Sequence, residues 1–292
     1  MARLAFLVIA VAAVAAGVNG GKKQDQLIVT YGIVPDPFHS KSFFSLPRTL
    51  EEAQGGQDYW VPSDQRPQDN TTSYCREGDY RVCLLFDQQG SVAGIRLSVN
   101  RDEIEASGFN LERVPEWEFN WSTRLRGGVY TATVYFVSKE ELAAGGRSPK
   151  KSDPTAPNGI YILQSDFNGF ETNRLHIPIQ ESGATSANFT EQSCNFGMGK
   201  HYFQELRKDG KCEEHRPYFL LYGPKTKELN GFGIAQYGNV TNGERPWYEY
   251  PTAKEAKKIA PNSPDCVEDW INTHGMFSLH VYFVSSPYWT FC

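Results

Sequence analysis

Residues 79–86 alternate between polar and apolar positions, with Tyr80, Val82, Leu84 and Phe86 on one face. The polar turn 87–90 follows, and residues 92–99 resume the apolar pattern. A period of two places side chains on opposite faces of a pleated strand, so the pair predicts a β-hairpin. Residues 129–137 (VYTATVYFV) are rich in β-branched and aromatic side chains, the composition of a central strand. Segments 159–164, 174–179, 218–222, 231–237 and 277–284 predict further strands, and Asn230-Gly231 spells a turn. Helical signals are brief. Capping-box spellings begin at Ser138 and Thr252, Ser263-Pro264 opens a helical stretch to Trp270, and 100–107 allows one more turn. The predicted fold class is therefore all-β or β-dominated: an antiparallel sandwich or barrel with short peripheral helices. Gly, Ser, Pro and Lys gather at 144–158, which reads as an exposed loop or a boundary. The chain then divides into a β-rich first half, 21–150, and a β-rich second half, 151–292, or continues as one domain.

The first twenty residues carry a different signal. Arg3 precedes an uncharged apolar run at 4–16, and Gly17, Val18 and Gly20 follow. This is the spelling of a secretory signal peptide at 1–20. A bilayer-spanning helix needs about 20 apolar residues, so the run predicts a leader rather than a membrane anchor. Export places the mature protein in an oxidising, extracellular compartment.

That setting changes the reading of the cysteines. Cys75, Cys83, Cys194, Cys212, Cys266 and Cys292 are an even set, consistent with three disulfides among 15 possible connectivities. A local Cys75–Cys83 bridge is expected, and Cys292 at the end of the chain suggests a bridge that pins a terminus. Zinc would call for C-x-x-C spacing, and none is present. Four sequons, at Asn70, Asn120, Asn188 and Asn239, predict surface loops that accept glycans. With 29 basic and 34 acidic residues and a net charge of −5, nucleic acid is a poor partner, and no basic run suits an anionic membrane.

Candidate chemistry lies in six histidines: His39, His176, His201, His215, His274 and His280. In the last strand, Ser278, His280, Tyr282 and Val284 face one way while Phe277, Leu279, Val281 and Phe283 face the other. If the first face lines a cavity, imidazole and phenol project into it together, so His201, His280 and Tyr282 are candidate ligand-binding residues. Imidazoles converging from separate strands also suit copper, iron or zinc. The candidate metal set is His201, His274 and His280, with Met198 or Met276 as a soft ligand. Each imidazole has an ordinary alternative as a hydrogen-bonded side chain on a β surface.

Trp117, Phe119 and Trp121 recur at period two, Trp247, Tyr248 and Tyr250 cluster, and Tyr288 and Trp289 lie near the end. Such rings stack on sugars or line pockets, although core packing accounts for most of them. Glu116 and Glu118 share a strand face, and Glu213-Glu214 precede His215, arrangements that allow acid/base chemistry but more often mark solvated charge. Asp166-x-Asn168-Gly169 resembles a fragment of a calcium loop and reads better as a turn.

Several blocks resemble an uncharacterised group of secreted animal proteins: 74–94, then Cys194-x-x-x-Met198-Gly199-x-His201-Tyr202, then 219–233, then Leu279-His280-x-Tyr282-Phe283. The resemblance spans scattered blocks and implies no activity. It does place His201 and His280 in shared motifs. The leading expectation is a secreted, disulfide-bonded glycoprotein that binds a small molecule or a metal ion. The alternatives are a secreted metal-dependent oxidoreductase and an extracellular matrix structural protein.

Overall fold

The computed structural model describes residues 23–31, 41–64, 69–122, 126–148, 150–166 and 168–292. The expected leader at 1–20 and His39 lie outside them. Fifteen strands are formed among the described residues. They are β1 (Ile28–Val29), β2 (Phe44–Ser45), β3 (Trp60–Pro62), β4 (Thr72–Arg76), β5 (Val82–Phe86), β6 (Val92–Asn100), β7 (Glu118–Ser122) and β8 (Gly127–Tyr135). There follow β9 (Ile160–Ser165), β10 (Glu171–Ile177), β11 (Phe189–Asn195), β12 (Gly199–Gln204), β13 (Tyr218–Tyr222), β14 (Leu229–Tyr237) and β15 (Met276–Tyr282). The helices are α1 (Leu50–Gly55), α2 (Arg101–Ala106), α3 (Lys139–Ala143), α4 (Ala253–Ile259) and α5 (Val267–His274).

Two antiparallel sheets form a sandwich. The first has the order β10-β9-β8-β6-β5-β4-β3, with β7 also paired to β8, and the second runs β11-β12-β13-β14-β15-β1-β2. β1 and β2 belong to the second sheet, β3 to β10 build the first, and β11 to β15 return to the second, so β1 closes against β15 through Ile28↔Tyr282 and Val29↔Val281. The two sheets share one core, in which Phe136 meets Phe283 at 5.3 Å and Trp117 meets Phe277 at 6.4 Å between ring centroids. The alternation in β15 is as the sequence implies: Phe277, Leu279, Val281 and Phe283 enter that core, and Met276 and Tyr282 pack into a second cluster on the outer face.

The helices are placed by their caps. Ser138 with Glu141 and Thr252 with Glu255 form complete capping boxes at α3 and α4, satisfying backbone N–H groups that the first helical turn leaves unpaired. α5 begins at Val267 and runs on to His274, beyond the expected end at Trp270.

One expectation is corrected. Asn230-Gly231 is not a turn but lies within β14, where a Cβ on Gly231 would sit 2.1 Å from the Val281 carbonyl; the glycine is there for close backbone approach, not reversal. The stretch 144–158 is a largely exposed connection from α3 to β9, and the chain crosses between the sheets from β2 to β3 and again from β10 to β11. All six cysteines are bridged. Cys75–Cys83 is the local bond across directly opposed residues of β4 and β5, Cys194–Cys292 pins the end of the chain, and Cys212–Cys266 completes the set.

Candidate functional site

The outer face of the second sheet carries His201 and Phe203 from β12, Phe219 from β13, Ala235 and Tyr237 from β14, and Met276, Ser278 and His280 from β15. His201 and His280 stand three strands apart, about 14 Å at ordinary strand spacing. Their ring centroids are nevertheless only 6.4 Å apart. Gly233 makes this approach possible. It pairs with His280, and a Cβ there would meet the Phe219 ring at 2.2 Å. With no side chain in the way, Phe219 lies across the sheet and reaches 4.9 Å from His280 and 5.7 Å from His201.

Helices α4 and α5 roof this face. Ala256 and Ile259 from α4, Ala260 and Ser263 just beyond it, and Val267 from α5 face the sheet across a cavity of about 450 Å³, a size that suits a small organic ligand. The roof is tied down. Cys266, immediately before α5, is bridged to Cys212. Ser193 Oγ donates to the Ile259 carbonyl at 2.6 Å, and the Asn262 N–H donates to Gln192 at 2.9 Å. Glu249 forms the side wall by pairing its backbone with Ser278 in both directions at 2.9 Å, continuing the edge of β15 where β1 leaves it. Its Oε1 accepts from the Tyr31 N–H at 2.8 Å and from His280 Nδ1 at 3.3 Å.

The electrostatics of the two imidazoles differ. His201 is 1 % exposed, and its Nδ1 lies 3.2 Å from the Gly199 carbonyl. A carbonyl only accepts, so Nδ1 carries the proton and Nε2 a lone pair. Complete burial, reinforced by His280, pushes this imidazole down to about 3, which keeps it neutral at physiological pH. The Ser193 backbone also lies against this ring, and Nε2 itself is sealed from solvent. His280 is 4 % exposed and spends Nδ1 on Glu249. Tyr282 stacks on His280 at 6.0 Å and is fully buried, but it is not part of the cavity lining. Its phenol packs behind the imidazole, so the expected pairing of ring and phenol in one cavity holds for the imidazole alone.

His274 does not join them. It ends α5 with Nδ1 2.8 Å from the Ser107 carbonyl and its ring against Trp270 and Phe109. Among the described residues no group of three His, Cys, Asp or Glu side chains is placed to hold a metal ion. The set His201, His274 and His280 is thus divided between two locations. Met198 and Met276 do reach the cavity. His215 also lines it, but its Nε2 donates to the Ala235 carbonyl at 2.6 Å and burial pushes it down to about 4. His176 stacks on Tyr161 at 4.6 Å on the other sheet.

The aromatic and acidic candidates resolve differently. Glu116 is buried beneath the sheets, where its Oε1 accepts from Arg216, Gln164 and Gln204, while Phe119 and Trp121 are exposed at 44 % and 62 %. Asn70, Asn188 and Asn239 are exposed, whereas the Asn120 amide donates to Thr131 at 2.7 Å within β7. Glu249 is the functional residue that sequence reasoning overlooked; its signal is a lone carboxylate inside the aromatic run from Trp247 to Tyr250. Comparison of the chain with protein-family models, curated proteins and solved structures finds no match.

Proposed function

We propose that this chain is a secreted, disulfide-bonded glycoprotein that binds a small molecule in the cavity between the second sheet and helices α4 and α5. One observation carries the reading: a largely apolar cavity of about 450 Å³ under α4 and α5 is walled by His201, His280 and Glu249. Ligand sites are concave, mostly apolar and furnished with a few polar groups that fix orientation. Three disulfides accord with export. The leader-like residues 1–20 and exposed sequons at Asn70, Asn188 and Asn239 support the same route. The resemblance places His201 and His280 in shared motifs, and these two imidazoles meet beside this cavity.

Titration with an apolar dye whose fluorescence rises in a dry environment tests the proposal. Wild-type protein is expected to take up one equivalent of N-phenyl-1-naphthylamine. Ala235→Trp, which fills the floor of the chamber, is expected to abolish uptake while the far-ultraviolet spectrum stays that of the parent. Equal uptake by both proteins, or none by the wild type, contradicts it.

A further inference from the structure

Three large aromatic side chains share one exposed corner of the second sheet, where the turn from β11 to β12 meets residues 287–292. Phe196 is 58 % exposed, Trp289 59 % and Phe291 57 %. Phe291 joins the group, its ring centroid 5.3 Å from Phe196 and 6.0 Å from Trp289. Rings left in water are unfavourable, and a contiguous exposed apolar patch marks a contact surface. The corner is held in shape. The Cys194–Cys292 disulfide joins the two segments that carry the rings, the Gly197 N–H donates to the Thr290 carbonyl at 2.8 Å, and the Tyr31 hydroxyl donates to the Phe196 carbonyl at 3.2 Å. Rings fixed beforehand lose little freedom on contact.

Two observations say what the corner meets. The first is charge. Segments 194–199 and 284–292 contain no charged side chain, and the chain as a whole carries −5. A charged partner finds nothing to pair with at the corner, and an anionic lipid surface repels the rest of the molecule. Phe196 and Phe291 also have no polar atom to hold the hydroxyls of a sugar, whereas tryptophan is a residue of the boundary between lipid and water. The second observation is continuity with the chamber under α4. Phe196 is two residues from Met198, which lines that chamber. From Trp289 the rings also run inward: Tyr288 at 6.0 Å, Phe43 at 5.5 Å from Tyr288, and Tyr31, which lines the chamber, at 5.8 Å from Phe43. An apolar ligand that suits the chamber is driven out of water and gathers in lipid.

We infer that this corner docks on a zwitterionic lipid surface, with Phe196, Trp289 and Phe291 entering the head-group region beside the wall of the chamber. Attachment is peripheral and reversible, since three side chains bury far less apolar surface than a spanning helix. The inference rests on the chamber being a ligand site, as proposed above, and adds the surface from which an apolar ligand is collected.

Flotation of the full chain with phosphatidylcholine vesicles, without dye, tests the docking surface. Wild-type protein is expected to float with the vesicles at low and high salt alike. The triple variant F196S/W289S/F291S is expected to partition about tenfold more weakly. Its uptake of N-phenyl-1-naphthylamine, measured without vesicles, is expected to match the wild type, because none of the three side chains lines the chamber. The wild-type series does not depend on that variant folding. Wild-type protein that stays behind, or that floats only with phosphatidylglycerol vesicles, overturns the inference. Equal flotation of the wild type and of a variant that keeps its dye uptake overturns it too. Self-association or oligosaccharide binding that the variant loses, with no vesicle attachment by the wild type, gives the corner to a second copy or to a sugar and likewise overturns it. Vesicle attachment that the variant loses, with no dye uptake by either protein, upholds the docking surface and contradicts the ligand reading alone.

Discussion

The outer faces of the two sheets are covered in different ways. On the first sheet Arg174 lies over the Tyr135 ring at 4.3 Å and donates to both Asp69 and Glu171, while Ser165 donates to Glu118 at 2.7 Å. α3 packs beside this network on Leu85, Val137 and Leu163. Charged and polar groups there are gathered into one network, in which, among the described residues, only Arg174 Nε and Nη1 and the Tyr135 hydroxyl lack a partner. On the second sheet α4 and α5 stand off from the strands and leave a cavity walled by His201, His280 and Glu249. The first face is built to hold the fold together. The second leaves a space with a carboxylate and two imidazoles in its wall, and a site is recognised by that space rather than by its residue types.

The contrast gives an ordered set of expected outcomes. Phe232→Ala, in the core shared by both sheets, is expected to cost about 3–5 kcal/mol in urea unfolding. A loss under about 1 kcal/mol would mean that the sheets do not pack there as one core.

Arg174→Met on the first face strands Asp69 and Glu171 beside Tyr135, and breaking such a buried pair costs about 3 kcal/mol. The matching change on the second face, His201→Phe, removes the hydrogen bond to the Gly199 carbonyl and keeps a ring of similar size. It is expected to cost about 1 kcal/mol, while ligand uptake falls. Equal destabilisation by the two variants would erase the distinction between the faces.

Acid sharpens the comparison. His201 and His215 are held down to about 3 and about 4 by burial, so the unfolded chain binds protons that the native state refuses. The stability tied to these groups is whole above the unfolded value of about 6.5, and it is lost as pH falls from there towards the folded values, at about 1.4 kcal/mol per unit for each group. Urea midpoints measured from pH 7 to pH 4 are expected to fall, and His201→Phe is expected to flatten the slope. A slope unchanged by that substitution would show that His201 is not held neutral. The smallest effect is expected at exposed Trp121, where Trp121→Ala should change stability by no more than about 0.5 kcal/mol.

Much of the frame was legible in the residues. The alternation of 277–283, the hairpin at 79–99 and the capping boxes at Ser138 and Thr252 are local signals, and each appears as the local chemistry implies. The Cys75–Cys83 bridge was legible for the same reason. The other two bridges span 98 and 54 residues, and no local rule selects them. The site was half legible. His280 follows from strand alternation, but its meeting with His201 depends on Phe219 lying across Gly233, which is a matter of packing between strands. His274 is six residues from His280 yet ends a helix that turns it towards Ser107. Glu249 enters through a two-residue backbone pairing with Ser278 that leaves no pattern in the chain.

The central claim is that the space beneath α4 and α5 takes up a ligand, and titration with N-phenyl-1-naphthylamine reads it directly. Wild-type protein should bind one equivalent, and Ala235→Trp, with its far-ultraviolet spectrum unchanged, should bind none. Uptake that is equal in the two proteins, or absent from the wild type, would contradict the account.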